Sequence, residues 1–157
     1  MKISKVFVDT SNKKYSIYIG SEIINKTPKL IDQKLKNIKK VAIISDKNVP
    51  TKVLEKLRMS LKRYKTHVYK LSSKNKIKNI KTAMYLTNDL LKKNFNRSDC
   101  VISLGGGVVG DLAAFVSSIT KRGINFINIP TTLLGQVDAS VGGKTGINSK
   151  EGKNLIG

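Results

Sequence analysis

"VISLGGGVVGDLAAF", residues 101–115, places four glycines and an aspartate between two apolar segments. The first segment is a short continuous apolar run, which is typical of a buried strand in a parallel sheet. The second continues as a helix pattern through residues 111–123. Gly105, Gly107 and Gly110 fit the spacing G-x-G-x-x-G, with a strand before it and a helix after it, which is the context in which this spacing binds a nucleotide. We therefore expect a tight turn with glycines at positive φ and a backbone that can approach a phosphate.

The segments around this turn alternate between strand and helix patterns. Strands are predicted at 41–46, 66–71, 99–104 and 125–130, and helices at 48–64, 78–94 and 111–123. Two more strand patterns, at 5–10 and 14–20, predict an opening β-hairpin. A helix over 21–35 is expected to have Ser21 as its cap and a break near Pro28. This alternation predicts an α/β fold, Rossmann-like, with a mainly parallel sheet and flanking helices.

In such a sheet, ligands bind beyond the carboxyl ends of the strands. The usual dinucleotide fingerprint places an acidic residue about 20 residues after the glycines, but the next strand ends in "NIPTT" without one. Asp46, at the end of an earlier strand, is therefore the better candidate for a ribose contact. Asp111, expected in the first turn of its helix, is either a partner of the helix dipole or a second cofactor contact.

The segment 129–157 is rich in polar residues and glycine, with little after Leu134 that could build a core. This composition predicts a loop over a polar ligand, and a flexible surface loop is the alternative. Lys144 and Lys153 could offer two charges to an anion, and Asp138 could orient a hydroxyl or move a proton.

The formal net charge of +20 raises the possibility of a nucleic-acid partner. However, the cations are mostly lysines spread over residues 1–95, and arginine, the better residue for bidentate phosphate contacts, is rare. A solvated lysine surface is the preferred interpretation. Cys100 and His67 are the only cysteine and histidine, so we expect neither an internal disulfide nor a metal site, but a buried thiol and a strand residue. Without a long apolar run or a secretory pattern, a cytoplasmic protein is expected.

The chain resembles a known enzyme family over its second half. "GGGVVGDLAAFVSS" (105–118), "RGINFINIPTTLLGQVDASVGGKTGIN" (122–148) and "GKNLIG" (152–157) are similar to 3-dehydroquinate synthase, and "SDKNV" (45–49) also fits. "SVGGKTGIN" separates this family from the related iron-dependent alcohol and glycerol dehydrogenases.

The resemblance implies a lyase of the shikimate pathway of aromatic amino acid biosynthesis, which converts 3-deoxy-D-arabino-heptulosonate 7-phosphate to 3-dehydroquinate and phosphate. A hydroxyl is oxidised transiently by NAD, phosphate is eliminated, the ketone is reduced, and an aldol step closes the ring. The family also uses a divalent metal, zinc or cobalt, and forms a homodimer.

The resemblance also assigns residues to ligands. Contacts to NAD are implied for Asp46, Asn48, Asn75, Lys78, Gly106, Gly107, Val108, Asp111, Thr131, Thr132 and Lys153. Substrate contacts are implied for Asp138, Lys144, Asn154 and Arg122, the last from the partner subunit. Asn75 stands where the family usually has glutamate, so a weaker NAD contact is expected there.

The resemblance further implies a second, helical domain that carries the metal ligands, and these are absent from residues 1–157. We therefore expect this chain to be the NAD-binding domain, inactive alone, with an exposed apolar surface where a second domain would pack. Two alternatives stay open: another sugar-phosphate cyclase of the same superfamily, and a non-catalytic nucleotide- or nucleic-acid-binding module.

Overall fold

The computed structural model describes residues 3–9, 14–72 and 76–157. Its elements, in chain order, are β1 (Ser4–Asp9), β2 (Lys14–Ile19), α1 (Ile23–Lys34), β3 (Lys40–Asp46), α2 (Thr51–Ser60), β4 (Lys65–Leu71), α3 (Ile80–Lys92), β5 (Cys100–Gly105), α4 (Gly107–Ile119), β6 (Asn125–Pro130) and a π-helical turn (Gly135–Ala139). The predicted opening hairpin is confirmed, because β1 and β2 pair antiparallel.

The central sheet has the strand order β4-β3-β5-β6, and every neighbouring pair is parallel. Alternate residues of β3 face opposite layers of core. Val41 and Ile43 pack in one apolar cluster with residues of α1 and α2, whereas Ala42 and Ile44 pack in the other with residues of α3 and α4. The fold is therefore a three-layer α/β sandwich with helices on both faces of a parallel sheet, as predicted.

The strand order reverses direction at the centre of the sheet. The chain moves outward from β3 to β4, returns across the sheet to β5, and then moves outward the other way to β6. Right-handed crossovers place the helices of such opposite connections on opposite faces. The carboxyl ends of β3 and β5 therefore diverge into a crevice, which is the topological switch point where this architecture binds ligands.

Expectations about two of the helices, α1 and α3, are wrong. The first helix continues through Pro28, and its N-cap is Glu22, in the left-handed region at φ 60°. Proline removes one hydrogen bond from the helix, but Ile31 is buried in the cluster with α2 residues, and that packing holds the helix together. For α3, the apolar spacing of residues 78–94 predicts one helical face with Ile80, Ala83, Met84 and Leu91, whereas the buried residues are Ala83, Leu86, Thr87 and Leu90.

The third difference concerns α4, which begins at Gly107 rather than at residue 111. Asp111 is therefore in the second turn, not the first, and is not placed as a partner of the helix dipole. The other end of the predicted helix, at Gly123, agrees better with the structure. Gly123 has φ 108°, a conformation that residues with a side chain rarely adopt. Among the described residues, no helix is long and apolar enough to cross a membrane.

Candidate functional site

A groove of about 420 Å³ lies at the switch point of the sheet. Its walls are the loops that follow β3, β5 and β6. The lining residues are Asp46, Asn48, Val49, Pro50, Gly106, Gly107, Val108, Thr131 and Thr132. The structure therefore brings together most of the residues that the resemblance assigns to NAD, although their contact with NAD stays a prediction.

The glycine turn is held by close approach and not, as expected, by positive φ. None of Gly105, Gly106 and Gly107 is among the positive-φ glycines, and Gly106 is extended at φ −80°. A Cβ at Gly107 would lie 3.0 Å from Cβ of Ala139, and one at Gly106 would lie 3.2 Å from Cγ2 of Thr132. Both distances are shorter than ordinary van der Waals contact. A side chain at either position would require its neighbour to shift, so close packing favours glycine in this turn.

The turn also presents the first backbone N–H groups of α4. Gly106 is the N-cap and has no side chain to accept from them. The first N–H groups of a helix have no partner inside the helix, and together with the helix dipole they favour an anion. A bare backbone and uncapped donors at the head of a groove fit a phosphate or pyrophosphate.

The two loops beside the glycine turn, after β3 and after β6, are each held by hydrogen bonds. Oδ1 of Asp46 accepts from the backbone N–H of Asn48 at 2.9 Å, which closes a turn directly after β3. On the other side, the N–H of Thr131 donates to the carbonyl of Gly105 at 2.9 Å. Oγ1 of Thr132 accepts from the N–H of Gly135 at 3.1 Å. The groove walls are thus held by backbone N–H groups that donate to two side chains and one carbonyl.

Lys78 connects the helix after the glycine turn to the end of the chain. Its side chain is only 10% exposed, and its ammonium contacts the carboxylate of Asp111 and Oδ1 of Asn154. The carbonyl of Lys78 accepts from the N–H of Asn148 at 2.9 Å, and Oδ1 of Asn148 accepts from the N–H of Asn154 at 3.1 Å. Three residues assigned to ligands by resemblance therefore share one network.

The C-terminal segment is better anchored than its composition suggested. Ile147 is fully buried in the same apolar cluster as Ala83 and Leu86. Its N–H donates to the carbonyl of Ile156 at 2.7 Å. Little after Leu134 joins the core, as the composition indicated, but the buried Ile147 holds the segment to the domain.

The remaining predicted substrate residues differ in their placement. Asp138, in the π-helical turn, and Lys144 and Lys153 are exposed to solvent. Arg122 follows α4, whose 13 residues span about 20 Å from the glycine turn to the opposite edge of the sheet. The structure does not bring Arg122 to the groove of its own chain, so its expected role from a partner subunit stays a prediction. Asn75 lies outside the described residues.

The sequence interpretation missed two residues that shape this region. Ala139 packs against the glycine turn. The sequence feature that could have indicated this contact is a small residue directly after Asp138, a predicted site residue. The hydroxyl of Tyr15 accepts a hydrogen bond from the N–H of Gly142 at 2.7 Å. That contact joins positions 127 residues apart in the chain, and no local pattern could indicate it.

Cys100 and His67 have the structural roles that the sequence predicted. Burial, followed by the charge of Asp99, raises the pKa of the Cys100 thiol, which is fully buried. His67 lies on β4 with its ring 5.6 Å from that of Phe95. Its Nε2 is buried and has no hydrogen-bond partner within the part of the chain that the structure describes, and burial, followed by the charge of Lys93, lowers its pKa. Among the described residues, no group of three or more His, Cys, Asp or Glu side chains could hold a metal ion.

An apolar surface lies next to the groove on the connection that follows β6. The exposed fractions of Leu133, Leu134 and Val137 are 76%, 70% and 68%. Large apolar side chains exposed together often mark a contact surface. The sequence analysis expected an exposed apolar sheet edge or face where a second domain would pack, and whether a domain packs against these residues stays a prediction.

The doubly wound sheet with a glycine-lined groove at its switch point defines a Rossmann-like α/β domain. The chain belongs to the 3-dehydroquinate synthase N-terminal family, whose model matches residues 68–157. This finding confirms the family that the sequence motifs indicated.

The chain is similar to enzymes that are about twice its length. It is 44% identical over 157 residues to the 3-dehydroquinate synthase of Pelagibacter ubique, covering all of this chain and 43% of that protein. It is 43% identical over 153 residues to the 3-dehydroquinate synthase of Brucella ovis, covering 96% of this chain and 40% of the relative. The chain thus spans less than half the length of these relatives.

Solved structures show the same fold in sugar-phosphate cyclases. A 2-deoxy-scyllo-inosose synthase, crystallised with carbaglucose-6-phosphate, NAD+ and Co2+, has a TM-score of 0.89 at 22% identity, with 98% of this chain and 42% of that chain covered. A 2-epi-5-epi-valiolone synthase from Streptomyces hygroscopicus, with NAD+ and Zn2+ bound, has a TM-score of 0.71 at 28% identity, with 85% of this chain and 37% of that chain covered.

Proposed function

We propose that this chain is the NAD-binding part of a 3-dehydroquinate synthase that acts on 3-deoxy-D-arabino-heptulosonate 7-phosphate. The observation that carries the proposal is the groove at the switch point, where a Cβ on Gly106 or Gly107 would lie 3.2 or 3.0 Å from a neighbouring side chain. The 44% identity to a 3-dehydroquinate synthase over the whole chain supports the choice of reaction.

The residues of the groove fit a dinucleotide from one end to the other. The bare turn and the uncapped N–H groups of α4 suit the pyrophosphate. Asp46 and Asn48, at the end of β3, offer carboxylate and amide groups to a ribose. Thr131 and Thr132 line the opposite wall. NAD bound there would supply reversible hydride transfer with the carbon that carries a substrate hydroxyl.

The phosphate of the substrate would bind near the C-terminal segment. Lys144 supplies a point charge, and cations and amide donors are the groups that a phosphate ester requires. Oδ1 of Asn154 faces the ammonium of Lys78, so the NH2 group of the same amide points away from that cation and can donate to an anion. Asp138, exposed beside this segment, would orient a substrate hydroxyl or hold a proton.

Two parts of the proposal involve groups outside the groove. Arg122 would reach the phosphate from a second copy of the chain, because it lies at the far edge of its own sheet. The divalent metal implied by the resemblance finds no ligand set among the described residues, so no step is assigned to it.

A second candidate reaction is that of a sibling sugar-phosphate cyclase. The similarity to the 2-epi-5-epi-valiolone synthase structure supports this candidate, at a lower identity of 28%. Both candidates share the NAD groove and a phosphorylated substrate. They differ only in which sugar phosphate the complete site accepts.

A chimera tests the proposed reaction. The 157 residues replace the corresponding 43% of the Pelagibacter ubique enzyme, and phosphate release is measured with the heptulosonate phosphate and with sedoheptulose 7-phosphate. We expect release only from the first substrate, and a large loss in the Lys144→Gln chimera. Release from sedoheptulose 7-phosphate alone would favour the sibling cyclase. A folded chimera that binds NAD but releases phosphate from neither substrate would contradict both candidates.

A further inference from the structure

The loop that carries Lys144 is held between two anchors. On one side is the π-helical turn, where the N–H of Val141 donates to the carbonyl of Asp138 at 3.0 Å. On the other side is the buried Ile147. Residues 143–146 between them form no helix or strand, and Gly142 and Gly143 both have positive φ, 98° and 68°. A loop with two such glycines needs a further contact to select one conformation.

That contact comes from the N-terminal hairpin. Tyr15, the second residue of β2, places its hydroxyl 2.7 Å from the backbone nitrogen of Gly142, and the N–H donates to it. Tyr15 is partly buried, whereas Lys144 is exposed. The described residues of the hairpin contribute to neither apolar cluster of the domain. The hydrogen bond of Tyr15 ties the hairpin to this loop.

The side chain of Lys144 lies beside the residue that Tyr15 holds, on the side where a Cβ of that residue would project. A Cβ built on Gly142 would lie 3.7 Å from Cε and 3.9 Å from Cγ of Lys144, so the stem of the lysine folds back over Gly142. Fixing Gly142 therefore limits the directions in which the ammonium can point. Lysine has a flexible four-carbon stem, and its ordering on binding is a cost that a prepared loop reduces.

We infer that Tyr15 is a positioning residue for Lys144, which it orders through Gly142 for binding the phosphate group of a ligand. This inference rests on the proposed function only for the role of Lys144 as an anion contact. Tyr15 itself does not touch the ligand. Its hydroxyl acts through the backbone of the loop, so phenylalanine should keep the packing of the ring and lose the positioning.

The test compares Tyr15→Phe with Tyr18→Phe in the full 157-residue chain. Tyr18 is on the opposite face of the same strand, three residues on, and serves as the matched control. Amide hydrogen exchange of Gly142 is measured by NMR in the free protein. The amide shifts of Gly143 to Thr145 are then followed during titration with inorganic phosphate, and NAD affinity is measured separately.

In Tyr15→Phe we expect Gly142 to exchange about tenfold faster or more. Phosphate affinity at the loop should fall about three- to tenfold, the range expected for one lost hydrogen bond. Tyr18→Phe should change neither, and NAD affinity should be the same in both variants. In a Lys144→Gln background, Tyr15→Phe should have no further effect on phosphate binding.

Three results would overturn the inference: unchanged exchange at Gly142, unchanged phosphate affinity in Tyr15→Phe, or an equal loss in the Lys144→Gln background. Failure of the proposed function has a different signature, because the unsubstituted chain would then not bind NAD, whatever residue stands at position 15.

Discussion

Replacing Lys78 with methionine removes the ammonium that lies between the carboxylate of Asp111 and the amide oxygen of Asn154. Methionine keeps an unbranched stem of similar volume, so the substitution leaves little cavity. The main cost is electrostatic. The side chains of Lys78 and Asp111 are 10% and 23% exposed, so Asp111 would lose its partner while keeping only limited contact with water.

The expected loss in the free energy of unfolding lies between two known limits. Breaking a fully buried pair by removing one partner costs about 3–5 kcal/mol. Exposed pairs contribute about 0–1 kcal/mol. Because Asp111 keeps some solvent contact, we expect the free energy of unfolding to fall by about 2 kcal/mol, which corresponds to about 4–8 °C in Tm for a domain of this size.

The assay is a double-mutant cycle of Lys78→Met and Asp111→Asn, followed by thermal and denaturant unfolding. We expect a coupling energy of about 2 kcal/mol. The matched control is the pair Arg58–Glu55 on α2, whose side chains are 49% and 43% exposed. Its coupling should be below about 0.5 kcal/mol. A coupling between Lys78 and Asp111 no larger than that of the control would refute the reasoning.

Three other predictions concern the core and the C-terminal segment. Because the pKa of His67 is lowered from 6.5 by burial and by the charge of Lys93, the unfolded chain binds more protons below that pH. The stability that the neutral ring contributes is fully present above pH 6.5 and is lost as the pH falls through the lowered pKa. The free energy of unfolding, measured with urea, should therefore rise with pH below 6.5, and His67→Gln should reduce that slope. An unchanged slope in the variant would show that His67 is not its origin. Cys100 should resist a thiol reagent in the native chain and react once the chain is unfolded, so rapid labelling of the native chain would contradict its burial. Ile147→Ala should cost about 2–4 kcal/mol and expose residues 148–157 to proteolysis, whereas Ile156→Ala, at a side chain 39% exposed, should cost less. Equal losses in the two variants would show that Ile147 is not the anchor.

The fold was predictable where it depends on local patterns. The continuous apolar runs that became β3 and β5 are buried on both faces, and the sequence shows this directly as an absence of alternation. The glycine spacing between a strand and a helix also indicated where the groove would form. Both signals act within a few residues, which is the range in which sequence patterns are informative.

The differences come from contacts between distant segments. The glycines of the turn are required by Thr132 and Ala139, which reach the turn only after the chain folds back. Pro28 was expected to break a helix, but packing against α2 decides that position. The contact of Tyr15 with Gly142 and that of Lys78 with Asn154 join residues with no local relation. Tertiary contacts of this kind override the propensities of single residues.

The most direct test of the NAD groove is calorimetric titration of NAD into the purified chain and its Gly107→Val variant. A side chain at this position would begin 3.0 Å from Cβ of Ala139 and would fill the turn. We expect the unsubstituted chain to bind one NAD, and the variant, if circular dichroism shows that it is folded, to bind about tenfold more weakly or worse. A folded parent chain that does not bind NAD, or a variant that binds it equally well, would contradict the assignment of the groove.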